Sequence, residues 1–407
     1  MNTAQSLSGD DTVEKVWQPL DSSCSERSFF LRSSAGTLHA RGIAARLPRG
    51  TPATLGSRVQ DFFRREHDGP RLLVGALAFD RQGLDSLIQP ALVSRADVLF
   101  PQSIVMPKSR WQVTAEPDAS QYSQIVSKAL KLIADSEAGE AGEGGLKKVV
   151  LARRLRVVAD HLLDARYLAS RLAQDPSIAT FMVPLPDING VPRTLVGGSP
   201  ELLVAKRGRV VTSNPLAGSA RRDSDPVLDR AAAEQLLKSD KDRREHLMVV
   251  EAILDNLAPY CAELSTPRLA QLQTTESMWH LGTKIEGKLK DSDVSSAELA
   301  ACLHPTPAVG GSPREIAQDV IRQLEPFERG FYAGALGWTD DEGDGEWYVS
   351  LRCGEVMGHQ IMLYAGAGIV AGSDPQAEAA ETSAKFAALL TALGIDEHGR
   401  PLAGEQA

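Results

Sequence analysis

The sequence of 407 residues has few cysteines, no long hydrophobic run and no leader-like start. Its four cysteines, Cys24, Cys261, Cys302 and Cys353, lack the spacing of a zinc ribbon or a CxxC redox pair, which predicts reduced thiols in a cytosolic protein. No apolar run approaches about 18 residues, the length that suggests a membrane-spanning helix. The N-terminus has neither a basic start nor an apolar stretch, so we expect no signal peptide and a cytoplasmic location.

The chain also lacks an excess of positive charge, since its formal net charge is −9. Because affinity for nucleic acid depends on neutralising phosphates, this balance disfavours nucleic acid as the main partner. A GxSxG elbow, an HExxH motif and a Walker A loop are all missing, which disfavours the common hydrolases and NTPases. With 43% apolar and 24% charged residues, the composition is typical of a globular protein with a substantial core.

Hydrophobic periodicity predicts short strands together with long helices. Runs of hairpin-like strands between helical segments favour an α+β fold with antiparallel sheets over a doubly wound fold. One long helix is predicted over residues 226–258, with Pro259 as its stop. We expect one domain with flanking segments: a frayed N-terminus (1–25), a domain (26–393) with a less characteristic part (26–145) and a motif-bearing part (146–393), and a C-terminal tail (394–407).

Glycine-containing segments predict two irregular connections. The Gly/Ala/Glu-rich stretch 136–145 has no period and predicts a mobile loop.

Three strand-like segments near the C-terminus, GFYAGALGWTD, EWYVSLRCGEV and QIMLYAGAGIV, predict a three-stranded meander. Its last part, Ala365–Val370, reads as a tight Gly-spaced turn leading into a final helix over 376–393.

Two acidic pairs stand at helical i, i+3 spacing. Asp242 and Glu245 form one pair, and Glu378 and Glu381 form the other. Residues three apart share a helix face, so each pair can present two carboxylates in one direction. Four such oxygen ligands suit Mg²⁺. The alternative is that both pairs lie on solvated helix faces, as acidic residues usually do.

Single polar residues beside apolar strands form a second group of candidates. Lys148 begins the strand KVVLAR, where partial burial would lower its pKa and make it a usable base, although such lysines are commonly solvated edge residues. Glu201 begins an apolar strand, where a raised pKa would suit an acid; the alternative is an edge carboxylate facing water. Arg352, Lys385 and His280 add cations and donors in the second half of the chain.

Ten ordered motifs between about residues 146 and 393 resemble those of the chorismate-utilising enzymes, and within them the isochorismate synthases of siderophore and menaquinone pathways. The resemblance implies a large antiparallel β-sandwich core with helices packed outside and the active site between layers. It also implies conversion of chorismate to isochorismate, by addition of water at C2 and loss of the C4 hydroxyl, with Mg²⁺ as cofactor. The motifs are PELLVAKRG, PLAGSARR, LDR, KDRREH, WHL, HPTPA, EPFERGFYAGALGW, GEWYVSLRC, YAGAGIV and ETSAK.

The same resemblance assigns roles to individual residues. Lys148 matches the general base that activates water, and Glu201 matches the general acid beside the departing hydroxyl. Glu245 and Glu381 match the Mg²⁺ ligands, and Asp242 and Glu378 match supporting carboxylates that act through water. The residues that match the substrate pocket are Gly218, Ser219, His280, Ala308, Val309, Arg352, Tyr364, Gly366 and Lys385.

Related activities remain as alternatives. A salicylate synthase would go on to eliminate pyruvate, and Val309, where some relatives carry leucine, leaves room for that outcome. The amine-forming relatives usually carry glutamine where Lys148 stands, so we expect no glutamine amidotransferase partner. The third alternative is a chorismate-binding protein without activity. The presence of the acid, the base and all four carboxylates disfavours it. We expect a monomer, because no apolar surface stripe is evident.

Overall fold

The computed structural model describes residues 27–65, 68–95, 109–139 and 144–402. The predicted frayed N-terminus, 1–25, lies outside the described residues, and so do positions 140–143 of the predicted loop. The described strands, in chain order, are β1 (Ser28–Ser33), β2 (Gly36–Arg41), β3 (Ala45–Arg46), β4 (Leu72–Leu77), β5 (Ser86–Gln89), β6 (Leu92–Ser94), β7 (Trp111–Glu116), β8 (Lys148–Ala159), β9 (Ala179–Ile188), β10 (Val191–Ser199), β11 (Leu202–Arg207), β12 (Val210–Asn214), β13 (Leu216–Arg221), β14 (Cys261–Ser265), β15 (Gln271–Thr274), β16 (Met278–Gly282), β17 (Ile285–Leu289), β18 (Gly311–Ser312), β19 (Ala335–Asp340), β20 (Gly345–Val349), β21 (Cys353–Met357) and β22 (Gln360–Val370).

Helices lie between the strands and pack on the outside of the sheets. Several begin at a side-chain cap: Asp118, for example, accepts the amide of Gln121 at 2.8 Å and starts a helix of 19 residues. A short 3-10 helix occupies Pro52–Thr54. The described α-helices are α1 (Leu55–Arg64), α2 (Ala119–Glu137), α3 (Ala165–Leu172), α4 (Pro226–Lys238), α5 (Asp240–Leu257), α6 (Ser296–Leu303), α7 (Arg314–Leu324) and α8 (Pro375–Ala392).

Two large antiparallel sheets and one small sheet organise the described chain. The first sheet has the order β18-β8-β22-β21-β10-β9-β1-β2-β6, with β7 also on β8; the second has the order β14-β17-β12-β11-β20-β19-β4-β5-β3. Side chains from both, such as Phe181 of the first and Trp347 of the second, join one buried core. The third sheet has the order β13-β16-β15. The prediction of an antiparallel α+β sandwich is confirmed.

The predicted three-stranded meander is wrong. Strands β19 and β20 pair in the second sheet, whereas β21 and β22 pair in the first. The chain crosses between the sheets at residues 350–352, and Arg352 there has a left-handed φ of 43°. Alternation of apolar residues identified the strands, but it carries no information about which sheet each hairpin completes.

Two further local predictions need correction. The single helix predicted over 226–258 is two helices, because Ser239 adopts an extended conformation and its hydroxyl caps α5 by accepting the amide of Asp242 at 3.2 Å. The predicted Gly-rich turn at Ala365–Val370 is the end of strand β22, paired with β8 through Val370 opposite Lys148. The turn follows one residue later and leads into α8.

The last described residues remain in contact with the folded body. Ile395 is buried and makes a bridge with Pro401, and the amide of Leu402 donates to the carbonyl of Gly394 at 2.9 Å. Among the described residues, no helix combines the length and hydrophobicity that crossing a membrane requires.

Candidate active site

One cavity collects the predicted site residues. It has a volume of about 950 Å³, including the part open to solvent, and lies among β22, the third sheet, α5 and α8. Residue Lys148 is buried behind its wall, and the other predicted residues line it directly. The lining residues among the predictions are Glu201, Gly218, Ser219, Asp242, Glu245, His280, Ala308, Val309, Arg352, Tyr364, Gly366, Glu378, Glu381 and Lys385.

Lys148 lies beneath the carboxylate of Glu245. The lysine begins β8, where its backbone pairs with Val370 of β22. Its side chain is 0% exposed. Its ammonium forms an ion pair of 2.9 Å with Oε1 of Glu245. The alternative of a solvated strand-edge lysine is therefore wrong for this conformation. Glu245 lines the cavity, whereas Lys148 does not.

Two glycines of β22 make room for this arrangement. A Cβ placed on Gly368 would lie 2.5 Å from Oε1 of Glu245 and 3.2 Å from Cε of Lys148. A Cβ on Gly366 would lie 2.9 Å from the carbonyl oxygen of Leu151 and 3.1 Å from the hydroxyl of Tyr332. These positions therefore favour glycine, because site side chains at Gly368 and a backbone carbonyl with Tyr332 at Gly366 occupy the space that a side chain would need.

Glu201 is a buried carboxyl at the start of β11. It is 2% exposed, and burial raises its pKa to about 8, opposed by the positive charge of Lys148. The electrostatic effect also shows that Lys148 and Glu201 share one environment. The solvated-edge alternative for Glu201 is wrong. A carboxyl with this pKa is protonated at neutral pH and can donate a proton.

The four predicted carboxylates converge from two helices. Asp242 and Glu245 lie in the first turns of α5, and Glu378 and Glu381 lie in the first turns of α8, which Asp374 caps through the amides of residues 376 and 377. Burial and the charges of Glu245 and Glu381 raise the pKa of Asp242. The solvated-face alternative is therefore wrong, because residues from both helices repel one another inside one cavity.

Lysines partly offset the repulsion. Lys241 pairs with Glu378 at 2.8 Å, and Lys385 pairs with Glu381 at 2.7 Å. Burial and the neighbouring Glu381 raise the pKa of Glu378. Burial opposes ionisation of Glu381 too, but Lys385 and the hydroxyl of Ser219 hold its pKa below the ordinary value. One carboxylate of the α8 pair is thus more readily ionised than the other.

The donor set suits a hard divalent cation. Carboxylate oxygens are the ligands that Mg²⁺ prefers, and four of them facing one cavity carry repulsion that a cation would relieve. In the present conformation, however, the described residues contain no group of three or more acidic, histidine or cysteine side chains close enough to enclose a metal. Three of the carboxylates instead pair with lysines, so the residue types fit Mg²⁺ and binding would require them to reorient.

One end of the cavity is cationic and adjoins the carboxylates, because Lys385 also pairs with Glu381. Arg352 donates to Thr275 Oγ1 at 2.9 Å and to His280 Nε2 at 2.7 Å, which requires a neutral, accepting histidine nitrogen. Burial lowers the pKa of Arg352 to about 10, and burial together with Arg352 and Lys385 lowers the pKa of His280 well below its usual value. The ammonium of Lys385 also donates to the carbonyl of Gly366 at 2.8 Å. This end can receive a carboxylate.

The remaining predicted residues shape the walls. Gly218, with φ of 79°, bends β13 where a Cβ would lie 3.0 Å from Cβ of Asp242, and Ser219 Oγ donates to Glu381 Oε1 at 3.0 Å. Ala308 and Val309 follow α6 in a loop against β8. These contacts link the loop, the small sheet and the carboxylate helices into one site.

Tyr332 and Lys241 are among the lining residues that were not predicted from the sequence. Tyr332 stacks on Tyr364 with ring centroids 4.9 Å apart and planes 10° apart, which gives the cavity a flat apolar wall. Lys241 is the cation paired with Glu378. Both lie inside motifs already noted, GFYAG and KDRREH, but neither residue type there signals a role without the fold.

The chain is similar to several known proteins over most of its length. The family model described as "Chorismate binding enzyme" matches residues 63–394. Isochorismate synthase DhbC of Bacillus subtilis is 40% identical over 91% of this chain and 94% of its own length. The crystal structure of a candidate 2,3-dihydroxybenzoate-specific isochorismate synthase, DhbC, from Bacillus anthracis has 41% identity and a TM-score of 0.84, covering 91% of this chain and 97% of that one. The menaquinone-specific isochorismate synthase MenF of Escherichia coli has 27% identity and a TM-score of 0.74, covering 90% and 88%. The resemblance inferred from the motifs is confirmed.

Proposed function

This chain belongs to the chorismate-binding enzymes, and on that premise we propose that it is an isochorismate synthase. The reaction adds water at C2 of chorismate, shifts the double bonds and releases the C4 hydroxyl as water. The observation that carries the proposal is the buried Glu201 carboxyl, whose pKa of about 8 keeps it protonated in the same cavity as the cationic end. Departure of a hydroxyl from carbon needs such a proton donor.

The cationic groups and the carboxylates of the cavity together complement a dianionic substrate. Arg352 and Lys385 would bind the enolpyruvyl carboxylate, and the guanidinium can do so with two parallel hydrogen bonds. The stacked pair of Tyr332 and Tyr364 would lie beside the apolar part of the substrate.

The carboxylates of α5 and α8 are proposed as a magnesium site. Glu245 and Glu381 would hold Mg²⁺ directly, with Asp242 and Glu378 acting through water. A bound Mg²⁺ offsets the charge of the ring carboxylate and withdraws electrons from the diene. The lysine partners of these carboxylates would keep the site close to neutral when the cation is absent.

Acid and base are assigned to Glu201 and Lys148. Lys148, once its ammonium has lost a proton to solvent, would take a proton from the attacking water, and Glu201 would give a proton to the C4 oxygen. Each group ends the cycle in the protonation state opposite to its initial one, so exchange with solvent resets the site. No covalent enzyme intermediate is required.

A product assay tests the proposal. The protein is incubated with chorismate and Mg²⁺, and the products are separated by chromatography. Isochorismate as the sole product supports the proposed function. Salicylate with pyruvate would assign the salicylate synthase alternative, and no turnover by folded protein would assign a binding protein. The pathway that uses the product, the cytoplasmic location and the monomeric state remain predictions.

A further inference from the structure

A buried ion pair lies directly behind the active-site wall. Glu325, at the end of α7, and Arg329, four residues later, are 7% and 4% exposed. Arg329 Nε donates to Glu325 Oε2 at 2.9 Å, and the guanidinium stacks on Phe79 with 4.2 Å from Cζ to the ring centroid. Both side chains lie outside the set that lines the cavity, so neither can touch the substrate.

The pair fills a gap in the first sheet. On one edge of β8, β18 pairs with Lys148 and Val149, and β7 pairs with the segment from Arg154 onward. Between them, residues 150–153 have no strand on this edge among the described residues. Here Arg329 Nη2 donates to the carbonyl of Val150 at 2.7 Å, and Glu325 Oε1 accepts the amide of Ala152 at 2.7 Å. Side chains thus supply the hydrogen bonds that a neighbouring strand would supply.

The same guanidinium reaches the loop after α6. Arg329 Nη1 donates to the carbonyl of Val309 at 2.8 Å, and Val150 N donates to the carbonyl of Gly310 at 2.8 Å. Val150 and Val309 both line the active-site cavity. One planar cation therefore sets the distance between two parts of the wall, and β8 also carries Lys148. Arginine suits this task because its N–H groups diverge in one rigid plane.

We propose that Glu325 and Arg329 are positioning residues for the reaction, holding β8 and the Val309 loop at the spacing that the substrate ring requires. This inference rests on the proposed function. An ion pair kept only for stability is a poor explanation, because a buried pair often contributes little net stability compared with apolar residues of similar size. The backbone hydrogen bonds on the cavity wall give the pair a geometric task instead.

The test compares Arg329→Lys with Arg58→Lys. Arg58 is a matched control, since it pairs with buried Asp85 and donates to the carbonyls of Pro48 and Thr51 at 2.7 and 3.1 Å, all outside the cavity lining. Lysine keeps the charge at position 329 but offers one nitrogen for two carbonyls. We expect kcat to fall at least about tenfold in Arg329→Lys, because small misplacements of reacting groups are costly. The KM for chorismate and the Mg²⁺ affinity should each stay within about threefold, because the charged groups assigned to bind them lie on other elements.

Hydrogen exchange gives a readout that does not depend on activity. In Glu325→Leu the amide of Ala152 loses its acceptor, so peptides covering 148–155 should exchange faster than in the wild type, while peptides of α8 should not. If Glu325→Leu does not fold, the same measurement is made on Arg329→Lys, where loss of a contact to Val150 also loosens this edge. Arg58→Lys should leave the exchange of 148–155 unchanged.

Three results would overturn the inference. The first is a folded Arg329→Lys variant that keeps the wild-type kcat. The second is an equal loss of kcat in Arg58→Lys, and the third is unchanged hydrogen exchange of 148–155 in the variants of the pair. Each would leave the pair without a positioning role. If the wild type makes no isochorismate, the proposed function fails while the exchange measurement still decides whether the pair orders β8.

Discussion

Replacing Glu201 with glutamine distinguishes the catalytic role of the carboxyl from its effect on stability. Glutamine has the shape of a protonated glutamate, and its carbonyl can still accept the amide of Leu216 that the carboxyl accepts. It cannot give a proton to the leaving hydroxyl. We therefore expect Glu201→Gln to lose isochorismate formation by about a hundredfold or more while remaining folded.

The stability effect has a defined sign. Below pH 4.5 the carboxyl is protonated in both folded and unfolded chains, so it does not change the free energy of unfolding. Between pH 4.5 and about 8 the unfolded chain ionises while the folded chain keeps the proton, so the free energy of unfolding falls by about 1.4 kcal/mol per pH unit. Integrated to pH 7, the wild type loses roughly 3 kcal/mol that Glu201→Gln does not lose.

Urea unfolding of wild type and Glu201→Gln at pH 5 and pH 7 measures this difference. The variant should be the more stable protein at pH 7, and the gap should shrink at pH 5. The kcat/KM of the wild type should fall about tenfold per pH unit above pH 8, where Glu201 loses its proton. A gap that is the same at both pH values, or a variant with wild-type turnover, would refute the assignment of a neutral buried acid.

Three other substitutions probe the neighbouring groups. Lys148→Ala should lower turnover about a thousandfold, because the base is lost, with near-UV circular dichroism showing a retained fold; full activity would remove Lys148 from that role. Glu381→Gln should raise the midpoint of a Mg²⁺ titration at least about tenfold, since removing even an outer partner of a metal ligand costs that much; an unchanged titration would reject the ligand. Gly368→Ala would place a Cβ 2.5 Å from Oε1 of Glu245 and should cost turnover about a hundredfold; wild-type kinetics would show that the carboxylate can shift without loss.

A surface ion pair provides matched controls for the charge changes. Lys284 and Glu286 are 2.7 Å apart and more than half exposed, on or beside β17. Lys284→Ala and Glu286→Gln should leave turnover and the Mg²⁺ titration unchanged, because exposed pairs contribute little. An effect of either control as large as that of Lys148→Ala or Glu381→Gln would point to a general electrostatic cause.

Local sequence signals predicted helices better than connections. The final helix, predicted over 376–393, is α8 (Pro375–Ala392) in the structure, a difference of one residue at each end. The break at Ser239 was missed because a serine between charged residues fits a helix interior and a cap almost equally well. The crossing between sheets at Arg352 depends on contacts between distant strands, which no local pattern contains.

The identities of the site residues could be predicted, but not their electrostatic partners. The ordered motifs named the acidic residues, Lys385 and Arg352, and the structure brings them to one cavity. The burial of Lys148 behind Glu245 depends on the register of β22 against β8, and the pairing of Lys241 with Glu378 depends on the approach of α5 to α8. Both are distances between elements far apart in the chain, and hydrophobic periodicity does not report them.

Incubation in H₂¹⁸O tests the central claim most directly, that solvent water adds at C2 as the C4 hydroxyl leaves. Purified protein, chorismate and Mg²⁺ are mixed in labelled water, and isochorismate from the first turnovers is analysed by mass spectrometry. The account predicts one ¹⁸O atom at C2. Isochorismate without the label would mean that the C4 hydroxyl migrates within the substrate, and it would contradict the assignment of Lys148 and Glu201 as base and acid.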